Sequence, residues 1–171
     1  MAREIERKFL VEELPGWLED CERVEIEQGY LAIDADADAE VRLRRAGEEL
    51  TLTVKRGAGE DRGEYEVTLS PEQMDLLWEA CAGRRLRKRR YVVRLDEDLR
   101  AEVDVYAGGL EGLRVAEVEF PSAERAAAFR PPDWFGRELT GVRRFANQAL
   151  AAEGMPEDVG AGAEAGGRDG A

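Results

Sequence analysis

The sequence predicts an α+β domain dominated by antiparallel strands, on three observations. Short runs alternate apolar and polar residues with the period of two that a strand imposes, and they recur along most of the chain. Only a few stretches carry helical spacing and caps. The charged residues of the alternating runs form like-sign pairs two apart, so each pair shares one strand face.

The opening run Glu4-Ile-Glu6-Arg-Lys8-Phe-Leu-Val11 puts Glu4, Glu6 and Lys8 on one face. Ile5, Phe9 and Val11 take the other, with Arg7 an exception among them. Residues 24–33 make a further strand, in which Gly29 marks a bulge. The next strands set Arg42 and Arg44 opposite Val41 and Leu43, and Thr51, Thr53 and Lys55 opposite Leu50, Leu52 and Val54. Glu64 and Glu66 share a face opposite Tyr65 and Val67, and Lys88 and Arg90 share one opposite Tyr91 and Val93. Glu102-Val103-Asp104-Val105 and Glu117-Val118-Glu119-Phe120 end the series.

Helices interrupt this pattern in three places. Ser70-Pro71-Glu72-Gln73 is a capping box with proline at the first helical position, followed by the stripe Met74, Leu77, Trp78, Cys81 and a stop at Gly83. Ser122 caps an alanine-rich helix that ends before Pro131-Pro132. A last helix is predicted near 143–152, carrying Phe145, Ala149 and Leu150. Residues 154–171 have almost nothing to bury and are expected to be a disordered tail, which leaves one domain over 1–153.

Composition narrows the chemistry. The 171 residues contain no histidine, which excludes Ser-His-Asp, Cys-His and imidazole metal sites. Any metal site is then all-oxygen, favouring magnesium, manganese or calcium. A net charge of −13 argues against a general nucleic-acid binder. Two isolated cysteines, no apolar run of spanning length and no hydrophobic leader make a cytoplasmic protein, off the membrane, the expectation.

A charged row on a single strand is ordinarily a solvated face. Six like-sign pairs are another matter: Glu4/Glu6, Arg42/Arg44, Glu64/Glu66, Lys88/Arg90, Glu102/Asp104 and Glu117/Glu119. Like charges on one face repel and gain nothing in water. Divalent cations between the acidic pairs and a polyanion between the basic pairs would compensate them. The charged rows would then face the lumen of a closed barrel, with helices over the apolar outside. The residues alone leave both arrangements open.

The run Glu4-x-Glu6-x-Lys8 resembles the E-x-E-x-K signature of the CYTH family, the triphosphate tunnel metalloenzymes. The similarity continues in order through Gln28-Gly29-Tyr30-Leu31, Arg42-x-Arg44, Thr53-Val54-Lys55-Arg56, Glu64-Tyr65-Glu66, Lys88-x-Arg90-Tyr91, Glu102-Val103-Asp104 and Glu117-x-Glu119, across about residues 2–152. The resemblance implies a closed eight-stranded antiparallel barrel around a tunnel. It also implies that Lys8, Arg42, Arg44, Lys55, Lys88 and Arg90 grip phosphate oxygens, and that Glu4, Glu6, Asp104, Glu117 and Glu119 hold Mg2+ or Mn2+. Glu66 would help place a second metal and its water, making Glu66 and Lys8 the catalytic pair. Glu64 and Glu102 share these faces and would orient basic neighbours. Arg94 reads as a barrel-end charge, Arg56, Arg87 and Arg89 point outward by parity, and Tyr30 packs. Thr140-Gly141-Val142-Arg143-Arg144 departs from the acidic Gly-Asp element the family often shows before its last helix.

The implied activity is metal-assisted hydrolysis of the terminal phosphoanhydride of a linear triphosphate, inorganic tripolyphosphate first. The alternatives are a class IV-type adenylate cyclase, a thiamine triphosphatase, and a non-catalytic binder of polyphosphate or nucleotide. The small-molecule substrate is the expected partner of a monomer or homodimer.

Overall fold

Each alternating run forms a strand of one antiparallel sheet in the computed structural model, which describes residues 5–34, 36–37, 39–57 and 63–159. The strands are β1 (Ile5–Leu10), β2 (Glu22–Asp34), β3 (Ala39–Ala46), β4 (Glu49–Arg56), β5 (Gly63–Thr68), β6 (Arg85–Arg94), β7 (Arg100–Ala107) and β8 (Arg114–Phe120). Their order across the sheet is β1-β8-β7-β6-β2-β3-β4-β5. Among the described residues β1 pairs with no strand but β8, and β5 with none but β4, so the expected closed barrel is an open curled sheet.

The backbone explains why β5 does not close on β1. The free edge of β1 is already taken by residues 136–140: Leu10 N–H donates to Arg137 O, Gly136 N–H to Leu10 O, and Leu139 N–H to Lys8 O. The Lys8 N–H donates to Thr140 Oγ1. A strand edge bonded to one segment cannot template another. β5 also lacks apolar backing, since Tyr65 and Val67 are 67% and 55% exposed.

Among the described residues three α-helices pack around the sheet: α1 (Pro71–Trp78), α2 (Ala123–Ala128) and α3 (Asn147–Glu153). The capping box forms as predicted, with Gln73 N–H donating to Ser70 Oγ and Ser70 N–H to Gln73 Oε1. Met74 and Cys81 then pack on Leu43. A Cβ on Gly29 would lie 2.8 Å from Cys81 Cβ, so this glycine lets the helical segment approach the sheet. The bulge falls instead between Tyr30 and Ala32.

Arg7, the charge on the apolar face, donates to the carbonyls of Ala126 and Phe129 where α2 ends, and to Glu138. It thereby satisfies orphan carbonyls of a helix terminus. Phe9, Tyr91, Val103 and Val118 belong to the main core behind this face. A second buried cluster of Tyr30, Tyr106, Leu139, Phe145 and Leu150 gathers under α3.

The last helix starts later than predicted. Arg143–Phe145 is a 3-10 turn, Ala146 is extended, and α3 begins at Asn147. Residues past the expected tail boundary at 154 pack as well: Met155 and Val159 lie against the second cluster, and Asp158 pairs with Arg137 and Arg144. The expected disorder of 160–171 lies outside the described residues. Among the described residues no helix is long and apolar enough to cross a membrane.

Candidate active site

The concave face of the sheet encloses a cleft of about 710 Å³. Every strand contributes to its lining, because period-two alternation sends the charged member of each strand to the same side. Lys8, Arg42, Arg44, Lys55, Lys88 and Arg90, the six cations singled out in the sequence, all line it. Glu6, Glu117, Glu119, Glu64 and Glu102 line it too. Glu4 lies outside the described residues.

Two of the expected metal ligands are not in this lining. Asp104 is buried behind it, 1% exposed, accepting from Lys88 Nζ at 2.6 Å and from Arg90 Nε and Nη2 at 2.7 and 2.8 Å. With its oxygens taken by two cations, it serves as their counter-charge. Glu66 is exposed on the edge strand β5 and accepts from Thr53 Oγ1 at 3.0 Å. Glu66 shares its strand face with cleft-lining Glu64, one residue pair further from Lys55, and sits beside Thr53 rather than in the lining itself.

The remaining charges divide into tight and loose contacts. Lys8 Nζ lies 2.6 Å from Glu117, and Lys55 Nζ 3.2 Å from Glu64. Arg90 also meets Glu102, and Glu117 at 3.8 Å. Arg42 reaches Glu40 only at 3.9 Å, and its buried Nε has no hydrogen-bond partner. Arg44 makes no ion pair among the described residues.

Burial would raise the Asp104 carboxyl, but Lys88 and Arg90 hold it below the ordinary carboxylate value. Glu117 is likewise held low against burial, chiefly by Lys8. Glu102 is raised, mainly by burial, with Arg90 opposing. Burial also raises the Tyr30 and Tyr106 hydroxyls, so both remain protonated.

Sequence reasoning assigned no site role to the cleft residues Gln28, Glu40, Arg143, Asn147 and Gln148. Glu40 lies two residues before Arg42, so extending that row by one step finds it. Gln28 stood within a quoted motif but carries no charge. Asn147 and Arg143 come from the segment after the sheet, where no strand parity applies.

The fold and site together define a class: one antiparallel sheet curled around a cleft in which rows of basic and acidic side chains face each other. The chain belongs to the CYTH domain family, whose model matches residues 2–146. It is 45% identical over 148 residues to an inorganic triphosphatase of Nitrosomonas europaea, covering 86% of this chain and 96% of that one. An inorganic triphosphatase of Acetivibrio thermocellus is 37% identical over 152 residues, covering 88% and 94%. A solved crystal structure of an inorganic triphosphatase matches with a TM-score of 0.70 and 43% identity over 89% of this chain and 96% of that one.

Proposed function

We propose that this protein hydrolyses the terminal phosphoanhydride of a linear triphosphate, with inorganic tripolyphosphate as substrate. One observation carries the reading: six cations from four strands converge on one cleft, and Arg42 keeps a buried Nε–H without an internal acceptor. A buried donor left unpaired costs about 1–3 kcal/mol, which a phosphate oxygen would recover. The naming of both curated relatives supports the same substrate.

The carboxylates fit a hard divalent cation. Glu6 and Glu119 face each other across β1 and β8, a like-charge register that favours a cation between them. Among the described residues no three acidic groups gather around one point. That suits magnesium or manganese, which are commonly held by one or two carboxylates plus phosphate oxygens. Glu6 and Glu119 would hold the ion, with Glu117 alongside. When bound, such an ion neutralises phosphate charge and acts as a Lewis acid toward water.

The protein's own groups do the rest. Arg42 and Arg44 fork around phosphate oxygens, and Lys8 and Lys55 act as point charges. Asp104 keeps Lys88 and Arg90 in fixed geometry, so they need not reorganise when charge moves to the leaving phosphate. Glu66 stands outside this set.

Phosphate release from tripolyphosphate, ATP and thiamine triphosphate, each with magnesium or manganese, tests the reading alongside a cyclic AMP assay. Tripolyphosphate should turn over fastest. Faster cyclic AMP formation from ATP, or tight tripolyphosphate binding without turnover, would reject it.

A further inference from the structure

Asn147 opens α3 and lines the cleft. Its Oδ1 accepts from the Tyr106 hydroxyl at 2.6 Å and from the Lys88 ammonium at 3.3 Å. Both neighbours are donors, so oxygen is the amide atom that fits between them. The Nδ2 group is thereby turned away from both. It is not buried, and it meets no protein acceptor among the described residues.

Lys88 tells the same story from the other side. Its ammonium has three N–H groups, and Asp104 and Asn147 take two of them. The next turn of α3 buries Leu150 and Ala151 in the second core cluster, so the helix cannot drift from this position.

We propose that Asn147 is a substrate-binding residue whose amide N–H groups, aimed by Tyr106 and Lys88, donate to a phosphate oxygen in the cleft. The proposal rests on the triphosphatase reading and adds a neutral donor to its cations. A neutral donor grips an oxyanion without adding to the charge that must be desolvated in the empty cleft. It also ties α3, which lies outside the sheet, to the bound substrate.

The experiment measures tripolyphosphate affinity by metal-free calorimetry and KM with magnesium for four variants, each checked for folding by circular dichroism. Asn147→Leu should weaken both about tenfold to a hundredfold, the range for one hydrogen bond to a charged group. Asn147→Asp should weaken them further, since it still accepts from Tyr106 and Lys88 but offers oxygen where N–H was needed. Tyr106→Phe should cost severalfold alone and nothing more in the Asn147→Leu background, because it acts only by aiming the amide. Wild-type affinity in Asn147→Leu, or additive losses in the double variant, would overturn the proposal. Wild-type protein that neither binds nor hydrolyses tripolyphosphate would remove the function reading instead.

Discussion

The two flanks of the cleft handle their cations differently. On the β6–β7–β8–β1 flank, Lys88 and Arg90 share Asp104 and Lys8 meets Glu117, all at 2.6 to 2.8 Å, over the main buried core. On the β3–β4–β5 flank, Arg42 has only a distant Glu40, Arg44 has no ion pair among the described residues, and the terminal strand is exposed. One flank is internally neutralised and rigid. The other couples its cations loosely, Lys55 to Glu64 at 3.2 Å and Arg42 to Glu40 at 3.9 Å, so an incoming polyanion displaces the least internal pairing there.

Substitutions can break this contrast, and the largest effect belongs to the neutralised flank. Asp104→Ala strands the buried Lys88 and takes one partner from the half-buried Arg90, and should destabilise the fold by about 3–5 kcal/mol. A urea midpoint near wild type would show that the flank is not held by this ion cluster. Glu119→Gln should lower turnover about a hundredfold, the scale of a lost Lewis-acid contribution. Its metal-free melting temperature should hold or rise, because a like-charge pair with Glu6 is relieved. Retained turnover would exclude Glu119 as a metal ligand.

On the open flank the effects should fall on binding. Arg44→Ala should raise KM for tripolyphosphate at least tenfold, while stability changes by no more than about 0.5 kcal/mol. A loss of stability with KM intact would make Arg44 a structural residue. The smallest effect comes from the surface pair Arg7–Glu138. The hydrogen bond from Arg7 holds the Glu138 carboxyl below its ordinary value. Its stabilisation is therefore present above the ordinary glutamate pKa and lost as pH falls through the lowered one. Both groups are substantially solvated, so the contribution stays under about 1 kcal/mol. Glu138→Gln should flatten the acid limb of the stability profile slightly, and an unchanged limb would show the pair to be inert.

The site was legible where strands carry it. Parity put Lys8, Arg44, Lys55 and Arg90 on the cleft side because a strand admits only two faces. Charge alone could not separate a buried counter-charge from a cleft-lining acid: Asp104 and Glu117 look alike in sequence, yet one is sealed beneath two cations and the other lines the cleft. Gly29 was legible as special but not for its reason, since Cys81 approaches it from fifty residues away. Asn147 left no trace, because an uncharged residue at a helix start gains meaning only from the lysine and tyrosine it meets.

By itself the sequence determined the eight alternating runs and which charged residues share a face of each, because these follow from local period, while the meeting of those faces in one cleft is a property of the folded sheet. Tertiary structure alone decided whether the sheet closes, which acid neutralises which base, and what α3 contributes. Those outcomes depend on residues 136–140 claiming the edge of β1 and on contacts between segments far apart in the chain, and no local pattern encodes such pairings.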